Sequence, residues 1–200
     1  RKFYRRNALV VYPPISPHSI PPLTAKTRAN GEKLRGGRGS YFLVLSRLVG
    51  GKGVEMAVAA AEKAGFKLKI AGQAFGFGGL KNIDTLGYVT EEEKAKLMAG
   101  ARGFLALAKD EDFGITPIES MMCGTPVIAY NGGGYKETVI DGKTGILFND
   151  YSVEGLVAAV QRFNKLKWDE KTLKKHAGKF SQARFKTQML ELVSKYAGTS

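Results

Sequence analysis

From residue 41 onward, short apolar runs alternate with segments whose apolar residues recur every three or four positions. The runs predict strands at 41–45, 68–71, 85–88, 104–107, 127–130 and 145–148. Helical spacing predicts helices at about 54–61, 94–101, 117–123, 134–140, 153–165 and 182–196. Most of the runs are continuously apolar, as expected for strands that are covered on both faces. The alternation predicts an α/β fold, a Rossmann-like doubly wound parallel sheet of about six strands with helices on both faces.

Residues 1–40 differ from the remainder in composition. Their proline- and glycine-rich part cannot hold a long helix or a central strand, so it predicts a basic linker ahead of a domain at 41–200. The segment has nine basic residues and one acidic residue, which gives it a net charge of +8 out of +13 for the chain. Solvated linker charge is the simplest interpretation, and a phosphate-bearing substrate or an anionic membrane surface are alternatives. The shortage of interleaved aromatic residues argues against nucleic acid.

Composition narrows the class of protein. The chain is 44% hydrophobic and 24% charged, as is typical of ordinary globular proteins. No apolar run approaches the roughly 18 residues that a membrane span needs. Cys123 is the only cysteine, which excludes an internal disulfide and suits a reducing compartment. His18 and His176 lie far apart in polar sequence, so no metal site is predicted; a cytoplasmic location is expected, with peripheral contact at a membrane as an alternative.

The segment 109–119 carries the most informative chemistry. Its Thr-Pro-Ile-Glu stretch has the pattern of a helix start, with Thr116 as the cap and Glu119 closing a capping box. A helix that starts directly after a strand leaves unpaired N–H groups, here near Gly114–Thr116, at the edge of the sheet. An anionic ligand can bind to such groups. A purely structural role of Glu119 as a cap residue is the alternative.

Other unusual residues follow the carboxyl ends of the predicted strands, where open parallel sheets bind ligands. Arg47 and Lys52 follow the first strand, and Glu111 follows the fourth. In the common strand order 3-2-1-4-5-6 these two strands are neighbours, so the cations would face Glu111. Arg47 and Lys52 can neutralise a diphosphate, and Glu119 can accept hydrogen bonds from two ribose hydroxyls. The array predicts a site for a nucleotide diphosphate attached to a sugar; ordinary surface charge is the alternative for the two cations.

Several motifs occur in a fixed order. They are Leu45-Ser46-Arg47-Leu48 with Lys52-Gly53, the paired glutamates of 111–119, Ser120 to Ala129, Gly132 to Val139, and Asp141 to Gly145. Together they resemble the C-terminal, donor-binding domain of the family-four retaining glycosyltransferases, which is one half of the two-domain GT-B fold. The resemblance covers 41–196, and the wording around Asp110–Gly114 is most similar to mannosyltransferases. In addition, Val10 to Ile15 resembles the interdomain linker of the family, and the helix from about 182 resembles the one that crosses back to the partner domain.

The resemblance implies a role for each matching residue. It assigns the diphosphate to Arg47 and Lys52, the transferred sugar to Glu111 with the amides of Phe113, Gly114, Ile115 and Thr116, the ribose to Glu119, and the base region to Tyr88, Val89, Glu91 and Lys94. The last two residues lie where some guanosine-diphosphate-sugar enzymes of this type contact the base. No cofactor and no metal are implied beyond the nucleotide-sugar donor. No protein nucleophile is assigned, because retaining transfer in this family has no agreed one.

The implied function is transfer of a hexose to a glycan or lipid-linked acceptor, from a GDP-linked donor such as GDP-mannose or from a UDP-linked donor. Nothing before residue 40 is expected to form the acceptor-binding domain, so the chain alone is expected to be inactive or weak. The glycine-rich donor loop usual after the second strand is replaced by Gln73-Ala74-Phe75, and the helix after it is missing from the pattern. A non-catalytic module that works only with a separate partner chain is the main alternative, and a basic nucleic-acid binder is a third.

Overall fold

The computed structural model describes residues 10–15, 39–46, 53–72 and 79–197. Within these ranges the strands are β1 (Tyr41–Ser46), β2 (Lys67–Gly72), β3 (Ile83–Gly87), β4 (Gly103–Ala106), β5 (Val127–Tyr130) and β6 (Gly145–Phe148). They form one sheet in the order β3-β2-β1-β4-β5-β6, and all neighbouring pairs are parallel. This is the predicted order, and the predicted doubly wound α/β fold is confirmed.

Helices cover both faces of this sheet. In the described ranges they are α1 (Val54–Ala64), α2 (Glu91–Gly100), α3 (Ile115–Met122), α4 (Tyr135–Thr138), α5 (Val153–Lys165), α6 (Glu170–Ala177) and α7 (Gln182–Ala197), with a 3₁₀ turn at Gly178–Phe180. The sequence pattern predicted all of them except α6. Asp169 caps that helix, since its carboxylate accepts a hydrogen bond from the Thr172 N–H at 2.9 Å.

Alternating side chains along each central strand supply two separate cores. On β1, Phe42 and Val44 pack among residues of α1 and α5. Leu43 points to the opposite face and packs among residues of α2, α3 and α6. All three side chains are almost fully buried. Because both faces are covered, the strands need no polar side, which explains the continuous apolar runs of the sequence.

The connection between β2 and β3 is short for a parallel crossover. Residues 79–82 form a turn, while 73–78 lie outside the described ranges. β3 nevertheless pairs in parallel with β2, with a shift of register between Ile70 and Ala71. β3 is an edge strand in which only Ile83 is buried.

Helix α6 buries His176, which the sequence analysis placed in polar surroundings; that interpretation is wrong. The His176 Nε2 lies 2.9 Å from the carbonyl oxygen of Thr138, and the ring meets Phe180 edge-on at 5.7 Å between centroids. Burial lowers the pKa of His176 below its usual value. His176 is therefore part of the core. His18 lies outside the described residues.

Helix α7 contrasts with the other long helices, because none of its side chains is buried. Its exposed apolar residues are Met189, Leu190, Val193 and Tyr196. None of the helices in the described ranges combines the length and the apolar composition that crossing a bilayer requires.

Candidate functional site

The loops that leave the carboxyl ends of β3, β4 and β5 lie at the same edge of the sheet, because all of its strands are parallel. They hold residues 88–90, 107–114 and 131–134, respectively. The loop after β1, which carries Arg47 and Lys52, lies outside the described residues, and their predicted contact with a diphosphate stays a prediction. The described loops define a candidate ligand edge of the kind that open parallel sheets use.

The loop after β4 leads into α3 through a glycine in the left-handed conformation. Gly114 has φ 87° and is the N-cap of α3, without a hydrogen bond from a side chain. A Cβ atom at this position would lie 2.9 Å from the Tyr135 ring, so both the backbone angle and the space require glycine. The helix begins at Ile115, so the N–H groups of Ile115 and Thr116 belong to its first turn and need partners outside the helix. Pro117, which has no N–H, follows them.

The predicted capping box between Thr116 and Glu119 is wrong. The cap is two residues earlier, at Gly114, and the Glu119 carboxylate turns instead toward α2. There it meets the Lys94 ammonium, which lies 3.2 Å from Oε1 and 3.1 Å from Oε2. The helix start is therefore held by backbone geometry, and the carboxylate of Glu119 takes part in an ion pair.

This ion pair is buried and has a third member. The side chains of Glu119 and Lys94 are 5% and 13% exposed, and Lys94 Nζ also lies 2.6 Å from Oε2 of the exposed Glu91. Within the described ranges Glu119 Oε2, although close to the ammonium, has no hydrogen bond of good geometry. The structure thus brings Glu91, Lys94 and Glu119 together and leaves one buried carboxylate oxygen short of a donor.

Burial and neighbouring charges shift the pKa values of Glu119 and Lys94 in opposite directions. Burial raises the pKa of Glu119, and the nearby Lys94 offsets part of that rise. For Lys94, burial alone would lower the pKa, but the carboxylates of Glu91 and Glu119 outweigh it and raise the pKa. The neighbouring Cys123 is buried as well, and burial together with the Glu119 charge raises the pKa of its thiol to about 12. Glu119 is thus a costly buried charge that depends on Lys94.

Glu111 is half-buried in the loop after β4, where residues after β5 support it. The Tyr135 hydroxyl lies 3.4 Å from Glu111 Oε2, and the Gly134 N–H donates to the Glu111 carbonyl oxygen at 2.7 Å. A Cβ atom at Gly133 would lie 2.2 Å from that same carbonyl oxygen. The sequence analysis found Glu111 but missed Tyr135. The glycine run at 132–134 was the available signal, because consecutive glycines allow close approach of two backbones.

The other predicted site residues lie around this centre. The Phe113 ring is half-buried and contacts two other aromatic rings, one stacked and one edge-on, whereas Ile115 is exposed. After β3, the Tyr88 side chain is 86% exposed, and the half-buried Val89 packs against the core. The described ranges contain no group of three His, Cys, Asp or Glu side chains that could hold a metal ion. As far as the structure describes it, the candidate site contains carboxylates, the largely buried Lys94 ammonium and the first turn of α3.

Comparison with known proteins gives a family match. The model for glycosyl transferases, group 1, matches residues 26–180. The alpha-1,3/1,6-mannosyltransferase ALG2 of Dictyostelium discoideum is 49% identical over 61 residues, which are 30% of this chain and 14% of that protein. An uncharacterized glycosyltransferase of Methanocaldococcus jannaschii is 27% identical over 152 residues, which are 72% of this chain and 43% of that protein. The chain thus spans less than half the length of these curated relatives.

Solved structures agree on the fold. The apo form of the lipopolysaccharide outer core galactosyltransferase WaaB superposes with a TM-score of 0.71 at 20% identity, over 94% of this chain and 56% of that one. The Anabaena protein Alr3699/HepE, in complex with UDP-glucose, superposes with a TM-score of 0.66 at 22% identity, over 90% of this chain and 54% of that one. At this level of identity the likeness concerns the fold alone.

Proposed function

Because the chain belongs to the group 1 glycosyl transferases, we propose that this domain binds a nucleotide-diphosphate-sugar donor for retaining transfer of a hexose to a glycan or lipid-linked acceptor. One observation carries the proposal. Glu111, the first turn of α3 and Glu119 follow β4 in direct succession at the ligand edge of the sheet, and Glu119 is paired there with Lys94 of α2. A donor of this type has sugar hydroxyls, phosphate oxygens and ribose hydroxyls, which are the groups that such residues recognise.

Each part of the donor has a partner in this scheme. The diphosphate is held by Arg47 and Lys52, and the N–H groups of Phe113 to Thr116 add donors to phosphate or sugar oxygens. Glu111 accepts hydrogen bonds from the transferred sugar. Glu119 binds the ribose, whose hydroxyl supplies the donor that its Oε2 lacks among the described residues. The scheme requires no cofactor.

The base lies near the start of α2. Backbone at Tyr88 and Val89 frames it, and Glu91 and Lys94 present a carboxylate and an ammonium to its polar edge. Because Lys94 also pairs with Glu119, contact with the base and contact with the ribose are linked through one ammonium group. The mannosyltransferase name of the Dictyostelium relative supports GDP-mannose as the donor, and the complex of the Anabaena protein makes UDP-glucose the natural competitor.

Calorimetric titration of the protein with GDP, UDP, GDP-mannose and UDP-glucose tests donor binding. We expect binding of one nucleotide family, and we expect Arg47→Ala to weaken it about tenfold or more, since hydrogen bonds to charged groups contribute about 1.5–3 kcal/mol. Arg102→Ala is the matched control, because it removes the same charge at the opposite edge of the sheet, just before β4. Failure of the folded protein to bind either nucleotide, or equal losses in both variants, would contradict the proposal.

Tyr135→Phe tests the support of Glu111 by its neighbour. The variant keeps the ring that packs against Gly114 and removes only the hydroxyl near Glu111. We expect the affinity for the nucleotide sugar to fall roughly fivefold, about 1 kcal/mol, with no change for the nucleotide alone. The measurement is the ratio of the two dissociation constants. Tyr41→Phe is the control, since it removes a partly buried phenol hydroxyl, which donates to the Leu97 carbonyl at 2.8 Å, from the far edge of the sheet. An equal change of the ratio there would refute the role of Tyr135.

Helix α7 favours a second candidate, a module that acts only with a separate partner chain. Its exposed apolar side chains offer a surface to another domain or chain, and one of the structural neighbours is described as a GtfA/B complex. In either case the domain alone binds donor and transfers little. Transfer activity that returns only when a separately expressed acceptor-binding protein is added would favour this candidate. Activity of a single longer chain would favour the first.

A further inference from the structure

Residues 10–15, which precede the matched family region, pack against the end of the domain. The Ile15 N–H donates to the Phe180 carbonyl oxygen at 2.9 Å, and Ile15 forms a parallel bridge with Ser181. The Ile15 side chain is 2% exposed, so it belongs to the core. This short segment is therefore an integral part of the fold that contains the candidate site.

Tyr12 in this segment reaches the loop after β4. Its ring stacks on Phe113, with centroids 5.3 Å apart and planes at 22°. It also meets Phe180 edge-on at 5.5 Å, and Phe113 meets Phe180 at 5.6 Å. Three aromatic rings thus contact one another in both of the geometries that aromatic pairs prefer, and such pairs stabilise a structure beyond the burial of area alone.

Phe113 connects these three aromatic rings to the candidate site. Phe113 lies between Glu111 and Gly114, the residue from which α3 starts. The backbone of Phe113 is also closely approached by Gly134, where a Cβ atom would lie 2.4 Å from the Phe113 Cα. Phe113 is therefore in close contact both with the backbone at Gly134 and with the Tyr12 ring.

A carboxylate also lies near the Tyr12 hydroxyl. A hydrogen bond with the Glu137 carboxylate, together with burial, raises the pKa of Tyr12. Glu137 belongs to α4, the same short helix whose Tyr135 approaches Glu111. Tyr12 thus contacts the loop after β4 and lies close to α4, the two elements that surround Glu111.

We propose that Tyr12 is a positioning residue for the loop that contacts the donor sugar, acting through the Phe113 ring. This inference rests on the proposed function. Tyr12 does not contact the ligand; by holding Phe113 it fixes Glu111 and the first-turn N–H groups of α3 before the donor arrives. A donor site held in advance avoids the entropic cost of ordering a loop on binding.

The test uses the full chain and compares Tyr12→Ala, Tyr12→Leu and Tyr12→Phe. The first two remove the aromatic stack, one of them with less loss of volume, and the third restores the stack without the hydroxyl. Phe66→Ala is the matched control. Phe66 is a half-buried ring that meets Phe42 edge-on at 5.1 Å, and it lies just before β2, at the opposite edge of the sheet.

The first readout is hydrogen exchange of the ligand-free protein. We expect faster exchange of the amides of 111–116 in Tyr12→Ala and Tyr12→Leu, by about fivefold or more, and near-parental exchange in Tyr12→Phe and Phe66→Ala. Unchanged exchange in Tyr12→Ala and Tyr12→Leu would overturn the inference, and so would an equal rise in Phe66→Ala. Because this readout needs no ligand, it decides the inference even where the proposed donor fails to bind.

The second readout is the ratio of the dissociation constants for the nucleotide and the nucleotide sugar. We expect Tyr12→Ala and Tyr12→Leu to lose most of the gain in affinity that the sugar provides, while affinity for the nucleotide alone stays within about twofold. Tyr12→Phe is expected to retain the gain. A parental ratio in Tyr12→Ala would overturn the positioning role. Absence of nucleotide binding in the parent protein would instead count against the proposed function.

Discussion

Replacement of Lys94 by methionine is expected to lower the free energy of unfolding by about 3–5 kcal/mol, the usual cost of leaving one member of a buried ion pair without its partner. Methionine fills a similar volume, so the loss of charge dominates. Glu119 is 4% exposed and both of its oxygens face the Lys94 ammonium. Chemical denaturation followed by circular dichroism measures the effect.

The loss of stability in Lys94→Met should depend on pH. Burial raises the pKa of Glu119 in the folded protein, and removal of Lys94 removes the main force that lowers it. Above the ordinary pKa, about 4.3, the unfolded chain has released the proton that the folded variant still holds. The stability of the variant is therefore greatest in acid and falls as the pH rises through the raised pKa. We expect the variant to be less stable than the parent by a larger margin near pH 7 than near pH 5.

Two further variants separate charge from packing. The double variant Lys94→Met with Glu119→Gln removes both charges and should recover most of the lost stability. Glu91→Gln removes only the exposed partner of Lys94 and should cost no more than about 1 kcal/mol. If Lys94→Met is as stable as the parent at every pH, the buried pair does not exist as described.

Substitution of Gly133 by alanine is expected to reduce affinity for the nucleotide sugar at least tenfold. A Cβ atom there would lie 2.2 Å from the Glu111 carbonyl oxygen, so the loop that carries Glu111 must move. The backbone angle, φ 48°, adds strain, and the two effects together should cost about 1–3 kcal/mol of stability. Calorimetric titration and denaturation measure the two losses separately.

Substitutions at two other glycines distinguish backbone strain from steric crowding. Gly142 also has a positive φ, 72°, but open space surrounds its Cβ position, so Gly142→Ala introduces strain alone. Gly134 has an ordinary helical φ, −67°, but a Cβ there would meet Phe113 and Asp112, so Gly134→Ala introduces crowding alone. We expect loss of sugar affinity with Gly134→Ala and none with Gly142→Ala. The opposite order would show that strain, and not the contact between loops, controls the site.

The sheet was predictable because strands that are buried on both faces have a simple apolar pattern in the sequence. Strands β1, β4 and β5 are nearly continuous apolar runs, and glycines and charged residues follow them. Helix α6 has a weaker sequence pattern. Only Leu173, His176 and Ala177 of this helix are buried, so it lacks a long apolar stripe. Its cap, Asp169 with Thr172, was the signal available in the sequence.

Of the candidate site, the sequence could indicate only those residues that are neighbours both along the chain and in space. Glu111 and Glu119 flank one helix start, and a motif of that length can be recognised. The mistaken cap at Thr116 shows the limit, since a T-x-x-E pattern does not reveal that a lysine on another helix competes for the carboxylate. The contact of Tyr12 with Phe113 joins distant parts of the chain, and no local pattern indicates such a contact.

The buried thiol of Cys123 has a practical consequence. It is the only cysteine of the chain, and its high pKa keeps it protonated at neutral pH, so thiol reagents react with it only when the surrounding core opens. Since Cys123 adjoins Glu119, its rate of alkylation is a native reporter of opening at this end of α3. The protein can therefore be monitored there without an added dye or an engineered label.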